Sequence, residues 1–448
     1  YVYKRQLLNI PPKTYSIRFE MIGYKKLVNE GVIIISDKTT SLNGELVSSV
    51  IAGEEVIVVA EKKLIQFDVT QSEAIISSEE LEGMPVTEVS EVLRLQGGVT
   101  VDSDGGIHMR GGRTSEVSYM VDGVPMSDLY DGGIGVQIEN DNIQELQVIS
   151  GTFNAEYGRA LTGVVNMVTK DGGNHFEGSV HTYAGDYQSS DKTYNNLNNL
   201  NMEDDYSISG SLSGPILKDK ITFYSSGRIN QSKGWLNGLQ TFTIYGDTVF
   251  NDENNNRYLD GNEQQKDPYY KGLNWHSSWS TQNKVTFNLL KGTTFKINTI
   301  LNSRESQDYN FSLQLLEDAQ ITNFNHGKFL GLSISHTLSP TSFLQLNISE
   351  NKYNYESYLF EDPLDDRYIT PDSLFLARLE NRIPDHIIEQ YGDQVQYFPA
   401  YSLYRAGVDN RRFERETKTN NYKLDFTSQI NKYNQLKFGL DFSSHSLM

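Results

Sequence analysis

The second half of the chain alternates apolar and polar residues with the period of a β-strand. Leu330, Leu332 and Ile334 alternate with glycine and serine, and Leu436 and Phe438 alternate with polar residues in the same way. Successive side chains of a strand point to opposite faces, so this pattern predicts strands with one apolar and one polar face. We predict nine such strands, near residues 174–185, 204–214, 219–230, 276–290, 292–303, 326–338, 341–356, 415–430 and 433–445.

The connections between these predicted strands are alternately long and short. The short ones are 215–218, 291, 339–340 and 431–432, and the long ones are 186–203, 231–275, 304–325 and 357–414. Alternation by itself also fits a soluble sandwich, but short turns at one end and long loops at the other are typical of membrane β-barrels. Bacterial barrels have an even number of strands. We therefore interpret residues 174–448 as the first nine or so strands of an incomplete barrel, and the chain as a fragment at both ends.

A smaller α/β domain is predicted over residues 79–173. The spacing of its apolar residues predicts an amphipathic helix over 87–95, which Gly97 and Gly98 end. Ser77 followed by Glu80 fits a capping box ahead of a helix of about one turn. Short apolar runs separated by glycine-rich turns predict five strands, over 99–101, 107–110, 117–121, 143–149 and 164–168.

The first 78 residues are predicted to form a spacer and a linker. Tyr15, Ile17, Phe19 and Met21 alternate with polar residues, and further strands are predicted at 32–35 and 46–51, which together indicate a small β-sandwich over residues 1–53. Residues 54–78 then contain a short β-branched run between charged residues. This run is either the last strand of the spacer or an extended segment that pairs with the sheet edge of another protein. The residues that follow, to about Ile76, are predicted to be a linker.

Composition narrows the class of protein. Hydrophobic residues make up 37 % and the chain has 27 Tyr and 20 Phe, which suits many two-faced strands better than one large soluble core. The formal net charge of −19 argues against nucleic-acid binding. The absence of cysteine excludes disulfides, thiolate nucleophiles and Cys-ligated zinc. No apolar run approaches the ~18 residues of a membrane helix, so the fold class that we predict is mainly β.

Candidate chemistry in the α/β domain is sparse. Its glycines match neither a phosphate-binding loop nor a dinucleotide fingerprint. The Asp102 and Asp104 pair fits a polar turn better than a metal site, and His108 fits a structural role better than that of a ligand or base. No set of nucleophile, base and orienting group is visible. We therefore predict no catalytic activity and no required cofactor.

One long loop has the spacing of an EF-hand calcium loop. Carboxylate and amide side chains stand at positions 1, 3, 5, 9 and 12, and a backbone carbonyl is available at position 7. Arg257 stands at position 6, where the sharp turn needs glycine, and no flanking helix is predicted. An acidic, solvated external loop is therefore the competing interpretation. The candidate ligands of Ca²⁺ are Asp252, Asn254, Asn256, Tyr258, Asp260 and Glu263.

Five motifs in the α/β domain occur in a characteristic order. They are P-V-x-x-V-x-x-V-L-x-x-x-G-G-V from Pro85, I-x-x-R-G-G-R from Ile107, V-D-G-V-P from Val121, I-x-x-L-x-V-x-x-G from Ile143 and A-E-Y-G-R-A-x-x-G-V-V-N-x-V-T-K from Ala155. Together they resemble the plug domain of TonB-dependent outer-membrane receptors. The resemblance implies a plug that fills the lumen of a large β-barrel in the bacterial outer membrane.

The N-terminal spacer resembles a different domain. Tyr15, Ile17, Gly23 and Tyr24 match the last strands of a carboxypeptidase-regulatory-like domain, of which about half is covered. The resemblance implies no peptidase activity.

The plug resemblance also implies roles for particular residues. The β-branched run looks like the TonB box, the segment that pairs with the energy-transducing TonB complex in the periplasm. Its residues are Val56, Ile57, Val58, Val59 and Ala60. The candidates for ion pairs between plug and barrel are Arg110, Arg113, Glu156 and Arg159. The candidates for substrate contact, at the external tips of the plug, are Asp102, Asp104, Tyr130 and Asp131.

The expected function is energy-coupled uptake of a scarce solute across the outer membrane. The solute class is left open between an iron chelate, a vitamin, a sugar and a peptide. The expected partners are the TonB complex, outer-membrane lipid and the solute, with no nucleic acid. The competing interpretations are a surface or adhesion barrel without transport and, far less favoured, a secreted enzyme.

Overall fold

A computed structural model gives the fold of the chain. It describes all residues except 1–5, 9, 23, 37, 49–54, 60–71, 85, 87, 103–104, 152–156, 159, 192–195, 243, 245–269, 317, 366, 369–402, 405–406 and 432–433. For residues 55–59 and 72 it describes the backbone alone.

The N-terminal residues form a three-stranded sheet in the order β1-β2-β3. Its strands are β1 (Lys13–Phe19), β2 (Lys26–Ile34) and β3 (Glu55–Val59). β1 and β2 are antiparallel, and β3 lies parallel to β2 with Val58 opposite Asn29. The β-branched run therefore forms the last strand of the spacer, which is the first of the two interpretations given for it. A strand is also predicted at 46–51. The described residues of that range form only an isolated bridge, between Ser48 and Tyr24.

The domain that follows is built on a five-stranded sheet in the order β4-β9-β10-β7-β8. Its helices and strands are β4 (Ser72–Ser77), α1 (Ser78–Glu82), α2 (Val89–Arg94), β5 (Val99–Val101), β6 (Ile107–Met109), β7 (Val117–Val121), β8 (Val124–Pro125), β9 (Ile143–Ser150) and β10 (Gly163–Thr169). The predicted capping box is confirmed, because the Ser77 hydroxyl accepts from the Glu80 N–H and the Glu80 carboxylate accepts from the Ser77 N–H. The five predicted strands and the helix over 87–95 are confirmed, and their predicted ends lie within two residues of the observed ends.

The predicted linker up to Ile76 is wrong over its last residues. Ser72–Ser77 is a strand that pairs antiparallel with β9, with Ile76 opposite Leu146. Ile76 is 5 % exposed and belongs to the core of the domain. The polar residues on either side hid the strand, since only one face of this edge strand is buried.

Residues from Glu177 onward form a nine-stranded antiparallel sheet, here called the wall. Its strands are β11 (Glu177–Gly185), β12 (Asp205–Leu217), β13 (Ile221–Ser232), β16 (His276–Leu290), β17 (Thr293–Ser306), β18 (Thr322–Ser339), β19 (Ser342–Tyr358), β20 (Phe413–Gln429) and β21 (Gln435–Leu447). Each pairs with the next strand in sequence, and the wall is open between β11 and β21 over the part of the chain that the structure describes. Two short strands, β14 (Asn237–Leu239) and β15 (Tyr270–Gly272), pair within one long connection.

The wall confirms both the nine predicted strands and their connection lengths. The short connections all lie at one end of the wall, the turn end, and the long connections at the other, the loop end. The apolar face is exposed: Leu330 is 43 % and Phe438 is 63 % exposed. On the opposite face Gln282 and Asn421 are fully buried. Within the described residues, no helix is long and apolar enough to cross a bilayer.

Candidate functional site

The plug-like domain packs against the polar face of the wall. Its apolar core surrounds Leu93, Met109 and Leu146, and the wall contributes Ile300 and Phe329 to the same cluster. Most of the remaining wall residues under the domain are polar. The junction therefore depends on hydrogen bonds and ion pairs, which lie in three groups between the turn end and the loop end.

The group at the turn end surrounds a buried lysine of the wall. Lys284 Nζ lies 3.2 Å from Asp122 Oδ2 and 3.2 Å from Asp171 Oδ1, and it donates to the Thr169 carbonyl at 3.0 Å. Lys296 Nζ lies 2.6 Å from Asp171 Oδ2. Burial acts to raise the pKa of the Asp171 carboxyl, but the two ammonium groups outweigh it and hold that pKa well below its usual range.

The middle group joins one arginine of the wall to two carboxylates of the domain. Arg228 lies 2.5 Å from Glu139 through Nη1 and 2.9 Å from Asp141 through Nη2. Ser280 donates to Glu139 at 2.8 Å, and Ser209 donates to Asp141 at 3.2 Å. A planar guanidinium can bridge two acceptors in this way, which fixes the register between the domain and the wall.

The group at the loop end combines charge with aromatic rings. Arg415 Nη2 lies 2.7 Å from Asp128 Oδ2 and 3.4 Å from Asp131 Oδ2. Its guanidinium carbon lies 4.2 Å from the centre of the Tyr130 ring and 5.4 Å from that of Tyr353. Burial raises the pKa of Asp128, and the Tyr130 N–H and the Arg415 guanidinium offset this only in part.

A cleft of about 470 Å³ opens among the long connections beside this group. Phe413 lines it and packs against Tyr130 of the plug-like domain, with ring centroids 6.2 Å apart. Its other lining residues are Asp308, Tyr309, Asn310, Phe311, Gln320, Ile321, Asn323, Tyr355, Ser357, Asp409, Arg411 and Arg412. A concave surface with aromatic rings and a few polar groups is the usual form of a small-molecule site.

Two of the four substrate-contact candidates lie beside this cleft, although neither lines it. Tyr130 and Asp131 form part of the loop-end group and remain about half exposed. Asp102 lies in the other tip, where its carboxylate is 2.9 Å from His108 Nε2 and also accepts from the Gly106 N–H. The second nitrogen of His108 lies 2.8 Å from the Gly112 carbonyl, which fits the structural role predicted for it. Asp104 lies outside the described residues.

The other predicted site residues stay predictions. Arg110 and Arg113 make no ion pair with any residue that the structure describes, and Glu156 and Arg159 lie outside that part of the chain. Ala60 and all six candidate calcium ligands, from Asp252 to Glu263, also lie outside it. Among the described residues, no three His, Asp or Glu side chains lie together as metal ligands.

Sequence reasoning missed the ion-pair residues of the wall. Arg228, Lys284 and Arg415 carry the junction, and the sequence predictions named none of them. The signal was present, because each is a charged residue at an inward-facing position of a long alternating strand. A charged side chain at such a position needs a partner on the domain that packs against the inner face of the wall.

A mainly β chain whose small α/β domain packs on the polar face of a long-stranded antiparallel wall has the fold of a plugged outer-membrane barrel. The comparisons agree with this class: residues 66–165 match the TonB-dependent Receptor Plug Domain family. The matched range includes β4, which assigns that strand to the plug.

Curated relatives are similar over part of their length. The TonB-dependent transporter Oar of Myxococcus xanthus is 27 % identical over 238 residues, which cover 48 % of this chain and 22 % of that protein. The probable TonB-dependent siderophore receptor PirA of Acinetobacter baumannii is 26 % identical over 202 residues, 40 % of this chain and 25 % of that protein. The chain thus spans a quarter or less of these relatives.

Solved structures share the fold. The outer membrane transporter YddB from Escherichia coli superposes with a TM-score of 0.56 at 12 % identity, over 84 % of this chain and 48 % of that one. The siderophore receptor PirA from Acinetobacter baumannii gives a TM-score of 0.52 at 15 % identity, over 83 % and 47 %. The chain therefore carries the plug and about half of the structure of proteins of this fold.

Proposed function

We propose that this chain is part of a TonB-dependent outer-membrane receptor that takes up a scarce solute with energy supplied from the periplasm. The observation that carries the proposal is the junction between plug and wall. It is a polar contact made by three groups of buried and half-buried ion pairs, of the kind that two surfaces need if they are to separate and meet again. An apolar interface of the same size would not release into water without a large cost.

The named roles of the relatives support this proposal. They are a TonB-dependent transporter and a probable siderophore receptor, and neither name is that of an enzyme. We place the chain in the outer membrane, with its exposed apolar strand face against lipid and its long connections outside the cell. The solute binds at the loop end, and no catalytic step is needed.

The periplasmic partner is proposed to act through β3. This strand is at the edge of the N-terminal sheet, and its side away from β2 is unpaired within the described residues. An added strand from the TonB complex has a free backbone edge there, in the manner of β-augmentation. The three-stranded sheet itself fits a remnant of a carboxypeptidase-regulatory-like domain that carries the coupling strand.

The test is a substitution that removes one backbone donor from β3. Val58→Pro cannot donate to an added strand, whereas Val58→Ala keeps the N–H and serves as the matched control. We expect Val58→Pro to abolish energy-dependent solute uptake and to leave binding at the cell surface unchanged, with Val58→Ala close to the wild type. A Val58→Pro variant that still takes up solute at the normal rate would reject coupling through this strand.

A surface or adhesion barrel gives a different result in the same assay. Such a protein binds its ligand without energy, and an uncoupler of the proton-motive force leaves its ligand accumulation unchanged.

A further inference from the structure

The cleft at the loop end has an unusual combination of exposed aromatic rings and carboxylates. Tyr309 is 37 %, Phe311 is 48 % and Phe413 is 41 % exposed, and all three line the cleft. Large rings left in water within one concave surface are a marker of a binding site, since a ligand recovers their burial. The Tyr355 ring lies 5.8 Å from Phe413 and extends this aromatic wall inward.

The arginines of the cleft are already satisfied by neighbouring carboxylates. Arg411 binds both oxygens of Asp409, at 2.9 Å and 2.7 Å through Nε and Nη2. Arg412 is paired with Glu414, and it also donates to the Phe360 carbonyl. The charge of each guanidinium is thus compensated by a carboxylate, so a ligand that carries carboxylates or phosphates gains less from these arginines than it would from unpaired ones.

The acidic side chains are not all satisfied. Asp308 lines the cleft, and its carboxylate accepts one hydrogen bond from described residues, from the Asn323 amide at 2.9 Å, but forms no ion pair with any of them. Asp128 and Asp131 share the single guanidinium of Arg415, and Asp131 is the more distant at 3.4 Å. Around the cleft, the described carboxylates therefore outnumber the described cations.

The sequence of the long connections has the same bias. In each of the four, 186–204, 233–275, 307–321 and 359–412, acidic residues outnumber lysine and arginine. The 307–321 connection, which supplies one side of the cleft, contains three acidic residues and no lysine or arginine. The electrostatic field at the loop end of the wall therefore attracts cations and repels polyanions.

We propose that the cleft takes a cationic or zwitterionic solute that carries an aromatic or apolar group. The cationic group of the solute binds Asp308, and its apolar group packs against Phe311 and Phe413. A short basic peptide has this chemistry, and so does a metal chelate of net positive charge. The inference rests on the proposed receptor function and narrows its substrate class, since it excludes chelates with several negative charges.

The experiment measures binding to the intact receptor in detergent micelles by isothermal titration calorimetry. The probes are a tripeptide of lysine, phenylalanine and alanine, the same peptide with glutamate for lysine, a cationic ferric hydroxamate chelate and an anionic ferric tris-catecholate. We expect one or both cationic probes to bind at least tenfold more tightly than either anionic probe. Comparing the cationic peptide with the cationic chelate then shows which of these two kinds of solute the cleft binds.

Two substitutions test the site itself. Asp308→Asn is expected to weaken binding of the tighter cationic probe about tenfold, the usual loss for one charged hydrogen bond. Asp318→Asn is the matched control, because it makes the same change in the same connection at a residue that does not line the cleft. Phe311→Ala is expected to weaken binding of any probe that occupies the cleft.

Tighter binding of an anionic probe, an unchanged affinity in Asp308→Asn, or no binding of either cationic probe at millimolar concentration would each overturn the inference. Uptake of the ferric tris-catecholate that an uncoupler abolishes would overturn the inference and leave the receptor function standing. Uptake that no uncoupler affects would count against the receptor function itself.

Discussion

Asp171 holds the end of the plug to β16 and β17 in the middle of the wall, and its removal gives a sharp prediction. The residue lies two positions after the end of β10 and ion-pairs with both Lys284 and Lys296. Asp171→Asn keeps the shape of the side chain and removes its charge. The two lysines then face different environments, because Lys296 is 27 % exposed at its side chain whereas Lys284 is only 3 % exposed.

The expected cost follows from those environments. Lys296 can turn toward water and loses little. Lys284 cannot, and it keeps Asp122 as its only carboxylate partner among the described residues. Loss of one charge-assisted partner from a buried ammonium costs about 1.5–3 kcal/mol, below the roughly 3–5 kcal/mol of a buried pair that is broken completely.

Hydrogen exchange of the intact receptor measures this cost at the amides of β10. Because about 1.4 kcal/mol is a factor of ten, we expect Asp171→Asn to speed exchange there by roughly ten- to a hundredfold. Asp219→Asn is the control, since Asp219 lies in a turn at the same end and, among the described residues, bonds only Asn174, with an expected effect within about 0.5 kcal/mol.

A double variant tests the physical reason. Adding Lys284→Met to Asp171→Asn removes the stranded ammonium, so the pair of substitutions should cost less than the sum of the two single ones. Additive effects, or β10 exchange in Asp171→Asn equal to that of the Asp219→Asn control, would refute the account of this cluster.

The pH dependence of this stabilisation also has a definite direction. The pKa of Asp171 is depressed in the folded state, so its carboxylate stabilises the fold fully above the carboxyl's unfolded pKa. That stabilisation is lost as pH falls through the folded-state pKa.

Three further predictions concern other parts of the fold. Gly172→Ala places a methyl group against the backbone of β13 and should disrupt the exit of the chain from the plug. Gly173→Ala meets only ordinary contacts and is the control. The heat stability of the folded band on a gel compares the two variants. The carboxylate and carbonyl partners of His108 raise the pKa of its imidazole, so we expect amide protection of Gly105 and Gly106, which donate to Asp102, to be greatest below the unfolded histidine pKa and to fall as pH rises through the folded one; equal protection on both sides would contradict this. Leu346→Lys puts a charge on the outward face of β19 and should lower the unfolding free energy in lipid vesicles by up to about 2–4 kcal/mol; an unchanged value would argue against lipid contact there.

Much of the wall could be predicted from the sequence because each strand carries its own signal. A period of two over ten or more residues identifies a strand wherever it packs, and the lengths of the connections then order the strands. Predicted and observed bounds agree for β16, whose range of 276–290 is unchanged. The largest differences are at the loop end, where β18 begins four residues before the predicted 326.

The contacts between plug and wall could not be predicted in the same way. Arg228 meets Glu139 and Asp141 across 89 and 87 residues of sequence, and Arg415 meets Asp128 across 287. Such pairs depend on the register of the wall and on the depth of the plug, neither of which a local pattern contains. Tyr130 and Asp131 could be named from the sequence because a glycine-rich tip between short strands is a local feature, and their role in substrate contact stays a prediction.

Under the proposed function, the plug covers the polar face of the wall at rest and uncovers it during energised transport. Ser226 lies on that face, 8 % exposed, and these 448 residues contain no cysteine, so Ser226→Cys supplies the one thiol within them. We predict that a membrane-impermeant maleimide labels this thiol in energised cells with solute present, and fails to label it after addition of an uncoupler or in the Val58→Pro background. Equal labelling rates with and without energy would contradict the claim.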